Sequence, residues 1–219
     1  MNIVLFGPQG SGKGTQAQLL AKHFDCRVFS TGDVLREFAR THHDPEIEQL
    51  LSMGKLIPDG FIFRLMEDYF KKHRADGIVF DGFPRDMRQY NDFNFLLKKY
   101  NGAEPFAVYI TLPEKISLER IKNRRICTNC KRVATITAPT SNKELETLCK
   151  RCGGTLVVRH DDTEQSIQKR LDIFRRQTLP VIDHYRARNR LVSVDGTPSI
   201  DEVTQSLLTA INAFLKKKQ

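Results

Sequence analysis

Gly7-Pro8-Gln9-Gly10-Ser11-Gly12-Lys13-Gly14-Thr15 follows the apolar run Ile3-Val4-Leu5-Phe6 and leads into a segment where Ala17, Leu20, Ala21 and Phe24 recur at i, i+3, i+4 and i+7. A glycine-rich turn between a buried strand and an amphipathic helix is the setting of a phosphate-binding loop. The glycines let the backbone curl until several N–H groups converge, and the helix start adds its positive dipole end. Lys13 is then placed to reach the outer phosphates of a nucleoside triphosphate. The usual pattern has Ser or Thr directly after the lysine, whereas here Gly14 intervenes before Thr15. The hydroxyl that would face magnesium is therefore displaced by one position.

Outward from that loop, apolar runs recur at Ile3 to Phe6, Arg27 to Phe29, Ile78 to Phe80, Ala107 to Leu112 and Leu191 to Val194, with helical patterns between them. Their continuous apolarity fits strands covered on both faces. Alternating strands and helices predict an α/β fold, a parallel five-stranded sheet with helices on both faces and a ligand crevice at the strand C-terminal ends. Near the C-terminus, Ser199 and Glu202 have the spacing of a capping box. Val203, Leu207, Ala210, Ile211 and Phe214 then fall on one helical face.

Two stretches break this rhythm. Residues 30–64 read as a mostly helical insertion; its adjacent His42 and His43 diverge on a helix and read as exposed polar residues. From Ile126 to Val158 the chain carries β-rich pieces at Arg132 to Thr137 and Thr155 to Val158, with Cys127-x-x-Cys130 and Cys149-x-x-Cys152 separated by 18 residues. That spacing lets two knuckles close tetrahedrally around zinc; two disulfides are the alternative in an oxidising compartment. So small a unit buries little core and would need its metal to fold. Cys26, in an apolar context with no motif around it, reads as a buried structural thiol.

The length of 219 residues suffices for a core domain with insertions, and no stretch approaches the roughly 20 apolar residues that span a bilayer. We therefore expect a cytoplasmic monomer. A net charge of +9 calls for an anionic partner without choosing among nucleotides, nucleic acid and acidic membranes. The run Lys216-Lys217-Lys218 reads as a solvated tail. Asp81, closing Ile78-Val79-Phe80, stands where an acid meets magnesium in phosphate-loop proteins, or simply forms a turn before Gly82. Arg36, Arg85, Arg120, Arg124, Arg159 and Arg170 are dispersed, and composition alone does not separate them from ordinary surface charge.

Taken in order, Gly10-Ser11-Gly12-Lys13-Gly14-Thr15-Gln16, Ser30-Thr31-Gly32-Asp33-Val34-Leu35-Arg36, Asp81-Gly82-Phe83-Pro84-Arg85 with Gln89, and Arg159-His160-Asp161-Asp162 ahead of Arg170-Leu171 closely resemble adenylate kinase, from about residue 1 to 215. The resemblance explains Gly14, which the family carries after its lysine. It implies a core of residues 1–29, 65–120 and 163–219, a nucleoside monophosphate-binding insertion at 30–64, and a zinc-bearing lid at 121–162. It implies that Gly10, Ser11, Gly12, Lys13, Gly14 and Thr15, with Arg120 and Gly196, hold ATP. Thr31, Arg36, Ile57, Gly82, Arg85 and Gln89 would hold AMP, with Gly54-Lys55-Leu56-Ile57 against the adenine and Arg159 and Arg170 completing the site. Arg124, Arg159 and Arg170 would converge on the moving phosphoryl group beside Lys13 and Arg85, while Asp81 and Asp161 organise Mg2+. The implied reaction transfers the ATP γ-phosphoryl in line to AMP, giving two ADP under a closing lid; no nucleic-acid or membrane partner is expected.

Departures from the family pattern lie at Pro8-Gln9 in the loop, where a small residue and then Pro is usual, and in the lid, at Asn123, at Lys131, and at Val133-Ala134-Thr135 where Val-Tyr-His is usual. Those in the lid bear on its packing and opening, not on the reaction. A kinase for another nucleoside monophosphate stays open as an alternative, since base choice rests on few contacts. A zinc-ribbon nucleic-acid-binding ATPase would account for charge, cysteines and loop, but it leaves Arg85 and Gln89 unexplained and lacks interleaved aromatics for stacking bases.

Overall fold

The structure is a computed structural model and describes residues 1–53, 55, 57–130, 133–135, 148–158 and 162–217. In chain order it runs β1 (Asn2–Phe6), α1 (Lys13–His23), β2 (Arg27–Ser30), α2 (Thr31–His42), α3 (Pro45–Ser52), α4 (Asp59–Lys72), β3 (Ile78–Asp81), α5 (Met87–Lys99), β4 (Phe106–Thr111) and α6 (Glu114–Lys122). Then follow β5 (Arg124–Cys127), β6 (Val133–Thr135), β7 (Leu156–Val158), α7 (Glu164–Ile173), a π-helical turn at Phe174–Thr178, α8 (Leu179–Ala187), β8 (Leu191–Asp195) and α9 (Ile200–Lys216).

The main sheet has the order β2-β3-β1-β4-β8, every pairing parallel. Successive β1 residues serve opposite faces, which is why the run is apolar without a break. Ile3 and Leu5 pack with Leu20 of α1 and Leu207 and Ile211 of α9, whereas Val4 and Phe6 pack with Phe80, Phe93 of α5 and Ile182 of α8. The sequence places all five strands within a residue of their observed ends. β4 stops at Thr111 rather than Leu112, because Pro113 follows and caps α6.

Short polar side chains start the helices. Ser30, Asp44, Asp86, Thr163 and Ser199 each accept from the amide three residues on, and Ser199 with Glu202 completes the reciprocal capping box. His42 and His43 are exposed as expected, but His43 terminates α2 in the left-handed region rather than lying on the helix. Cys26 departs from expectation: it is only half-buried at the rim of the α1/α9 core, its Sγ 3.4 Å from the Phe24 carbonyl. It sits just past the end of α1, where the chain turns at the surface before β2. Lys216 and Lys217 are exposed, and Lys218 lies outside the described residues.

The helical insertion comprises α2, α3 and the start of α4, which continues unbroken across position 64 to Lys72. A second, antiparallel sheet of order β6-β5-β7 carries the cysteines. Of the predicted β-rich pieces, Arg132, Ile136 and Thr137 lie outside the described residues, and Thr155 forms only an isolated bridge with Leu148.

One polar residue ties the lower end of the main sheet together. Asn2, 1% exposed, donates to the carbonyls of Ala75 (2.7 Å) and Ala103 (2.8 Å) and accepts from the amide of Ile78 (3.2 Å). Asn2→Ala strands all three groups. Urea unfolding of that variant should show a loss of about 2–4 kcal/mol, while turnover at 25 °C stays near normal because the opposite end of the sheet bears the site.

Candidate active site

The loop after β1 folds as its glycines predict. Gly10 and Gly12 take φ of 79° and 86°, values open to glycine and strained for other residues. Gly12 caps α1 with no side-chain bond, which leaves the first-turn amides pointing at the loop centre. Lys13 bridges the loop, its Nζ donating to the carbonyls of Gly7 (2.7 Å) and Pro8 (2.9 Å). Lys13 is half-buried, and burial lowers its pKa to about 8, with Asp81 acting to raise it and Arg85 and Arg124 to lower it further. Among the described residues the buried Ser11 hydroxyl has no hydrogen-bond partner.

β3 delivers the next set. Asp81 ends the strand beside the start of α1, where its Oδ2 lies 3.4 Å from the place a Cβ would occupy on Gly14. Burial pushes its carboxyl up, and the Lys13 ammonium pulls it down. Arg85 follows in the β3–α5 turn and is fixed on three sides. Its Nε donates to Gly82 O (2.9 Å), its amide donates to Gln89 Oε1 (2.9 Å), and its carbonyl accepts from Thr178 Oγ1 (2.8 Å). Gln89 is itself placed by the helix start, since its amide caps onto Asp86 at 2.8 Å. Burial lowers the Arg85 pKa to about 10, helped by Arg170 and Arg36.

Arg85, Gly82 and Gln89 form one wall of a pocket of about 280 Å³ of empty space, completed by Thr31, Leu35, Leu51, Lys55, Ile57 and Ile62. Thr31 contributes a second buried hydroxyl with no partner. Arg36, one turn along α2, bonds Asp33 at 2.5 Å on the open side. Above the loop, Arg120 donates to the carbonyls of Gly196 (2.8 Å), Thr197 (2.8 Å) and Gly10 (3.4 Å), tying α6 to the β8–α9 connection.

The arginines near the second sheet converge on one acid. Arg124 Nε meets Asp162 Oδ2 at 2.7 Å and its Nη2 meets Oδ1, while Arg170 Nη1 reaches the same Oδ1 at 3.4 Å. Arg170 Nη2 also donates to Leu51 O at 3.0 Å. Sequence reasoning named Asp161 for magnesium and gave Asp162 no role; the signal for Asp162 was its place directly before the Thr163 cap. Arg159, Asp161, Gly54 and Leu56 lie outside the described residues.

Cys127, Cys130, Cys149 and Cys152 bring their sulfurs within 4.8 Å of one another. The pairs Cys127–Cys152 and Cys130–Cys149 are 3.5 and 3.7 Å apart. Tetrahedral thiolates at about 2.3 Å from zinc would be about 3.8 Å apart, so the group fits that ion. Burial acts to raise the Cys127 thiol, yet amide donors from Cys130 and Asn129 overcome it and draw it well below the usual thiol range; the Cys149 thiol is also lowered, first by the Arg151 amide. All four thiols are free of disulfides.

The family model described as "Adenylate kinase" matches residues 5–190. The chain belongs to the adenylate kinase family. It is 34% identical over 221 residues to an adenylate kinase of Fervidobacterium nodosum, covering 99% of this chain and all of that one. It is 36% identical over 215 residues to one of Thermosipho melanesiensis (96% and 99% covered). It is 33% identical over 217 residues to one of Clostridium tetani (98% and 100% covered). Like an adenylate kinase, the chain has a P-loop parallel sheet, and its four cysteines offer a closed metal site. Among the described residues no helix is long and apolar enough to cross a membrane.

The lowered pKa of Lys13 gives the site a pH dependence with a definite sign. In the free protein the ammonium loses its proton as pH rises through about 8, so kcat/KM for ATP should fall above pH 8, up to tenfold per unit. A bound polyphosphate holds the proton on, so kcat should stay level to higher pH. A kcat/KM flat to pH 9.5 would contradict the enclosure of this lysine.

The cysteine site has no open coordination position once zinc is bound, so the ion would be structural. Stripping it with a chelator should lower the thermal midpoint and raise futile ATP hydrolysis relative to transfer, while the main sheet persists by circular dichroism. Cys149→Ser should do the same more mildly; metal-free protein with unchanged melting and activity would show the site to be dispensable.

Proposed function

We propose that the convergence of Lys13, Arg85, Arg124 and Arg170 beside a partly open pocket carries out the family's reaction, reversible transfer of the terminal phosphoryl of ATP to AMP with formation of two ADP. The single observation that carries this reading is that Arg124 and Arg170 meet on one carboxylate, Asp162, while Lys13 lies in the field of Arg85 and Arg124 and Arg85 in that of Arg170. Phosphoryl transfer needs little covalent chemistry; it needs positive charge held over three equatorial oxygens and reactants held in line.

In this reading the amides of Gly10 to Thr15 and Lys13 cradle the ATP phosphates, and the adenine lies against Arg120 near Gly196. AMP enters the pocket of Thr31, Ile57, Gly82 and Gln89, with its phosphate on Arg36 and Arg85. The Thr31 hydroxyl supplies a hydrogen bond it otherwise lacks, and Gln89, its orientation fixed from the Arg85 amide, faces the base edge. Arg124 and Arg170, joined by Arg159, stabilise the moving phosphoryl. Asp81, a carboxylate at the loop, has the chemistry to hold the waters of Mg2+ together with Asp161; bound with ATP, the ion would supply positive charge to offset that of the phosphates. Residues 30–64 and 121–162 act as the two closing units that exclude water, since water reaching the γ-phosphoryl would turn transfer into hydrolysis.

A coupled assay across AMP, GMP, CMP and UMP tests the reaction and its base choice together, with ADP formed from ATP and AMP the expected result. Within it, Arg36→Ala should raise the KM for AMP by about 10-fold or more with a small change in kcat, because that contact exists in the ground state. Arg124→Ala should lower kcat by about 10²-fold with KM little changed. The opposite pattern would reverse the assigned roles.

A further inference from the structure

Asp162 is the group on which the two sides of the site meet. Its side chain is 2% exposed and accepts the Arg124 fork together with one bond from Arg170. Arg124 opens β5 and so belongs to the cysteine-bearing sheet, whereas Arg170 stands on α7 and reaches on to the carbonyl of Leu51, a residue lining the pocket beside Arg85. One carboxylate thus fixes a cation from each side of the cleft. A fork held by two parallel bonds has a set direction as well as a set distance, which a single contact would not give.

We propose that Asp162 is a positioning residue for phosphoryl transfer: its shared carboxylate holds Arg124 and Arg170 as a pair, so neither guanidinium has to be ordered while the phosphoryl group moves. This rests on the kinase reading above. Asp162 touches neither nucleotide and acts through the two arginines. Arg124 lies in the field of Lys13, and Arg170 in that of Arg85. Without the carboxylate, like-charge repulsion would drive both guanidiniums outward toward water and away from the centre of the cleft. Asp162 also stands immediately before Thr163, whose hydroxyl caps α7 by accepting from the Ser166 amide at 3.2 Å. The helix start therefore sets the carboxylate's place relative to Arg170 two turns later on the same element.

The experiment is a double-mutant cycle of Asp162→Asn and Arg124→Ala, with kcat, KM for ATP and KM for AMP measured beside the melting temperature and zinc content. Asparagine keeps the size of the side chain and removes the charge and the second acceptor. Asp162→Asn should lower kcat by about 10- to 100-fold, the scale expected when a reacting geometry is loosened, with each KM changed less than about threefold. The double variant should fall at least about fivefold short of the product of the single losses, because both substitutions disable one arrangement. Asp162→Glu, which keeps the charge, should recover part of kcat. If Asp162→Asn does not fold, the cycle is run with Asp162→Glu and the same shortfall is required. Losses that multiply, a kcat within twofold of normal, or a lowered melting temperature with intact kcat would each overturn the proposal. Wild-type protein assayed alongside separates the two readings: failure to form ADP from ATP and AMP would remove the reaction itself, whereas normal turnover with independent losses removes only the role of Asp162.

Discussion

The arrangement depends on holding several positive charges together in a space that water only partly reaches. Two like charges 8 Å apart at an effective dielectric of 20 repel by about 2 kcal/mol, and Lys13, Arg85, Arg124 and Arg170 each feel at least one of the others. Two acids offset this. Asp81 faces Lys13 from the end of β3, and Asp162 faces Arg124 and Arg170 from the start of α7. The acids are buried beside the bases and not scattered on the surface, and a buried pair constrains direction where an exposed one does not.

The scaffold determines how firmly each cation is held. Parallel strands all end on one side of the sheet, so the residues after β1 and β3 arrive as neighbours without further design. Arg85 is fixed at its amide, its carbonyl and its guanidinium. Arg36, by contrast, pairs with Asp33 on the open side of the pocket, where the two side chains are 35% and 71% exposed. A contact that open contributes little to stability, and it leaves Arg36 able to turn toward an incoming phosphate at small cost. The pocket therefore combines a rigid back wall with an adjustable rim.

Much of this was legible in the sequence, for reasons that differ by element. The strands were readable because both faces of the sheet are covered, which removes the polar alternation that would otherwise blur their limits. The loop and the cysteine pairs were readable because backbone curvature and tetrahedral sulfur each impose a spacing. Arg36, Arg85, Arg124 and Arg170 were not separable by any such rule, since what gathers them is the return of distant segments to one end of the sheet; only the family resemblance singled them out. Asp162 escaped even that, because its partners Arg124 and Arg170 are 38 and 8 residues away and only the fold brings them to it. Asn2 went unnoticed for a related reason: its three partners lie at Ala75, Ile78 and Ala103, and no local pattern marks a residue whose function is to join them.

Strand order also bears on how the chain comes into being. β1 sits at the middle of the sheet, yet one flank is β4 and, beyond it, β8, which begins only at Leu191. Arg120 takes its fixed place from carbonyls at Gly196 and Thr197. During synthesis the phosphate loop is made well before β8 and the β8–α9 connection, which complete its surroundings. A nascent chain therefore has a glycine loop with no finished enclosure, and an edge of β4 waiting for its neighbour. Long-range pairing of this kind slows folding, and it leaves the unfinished β4 edge open to unwanted strand partners until β8 emerges and pairs with it.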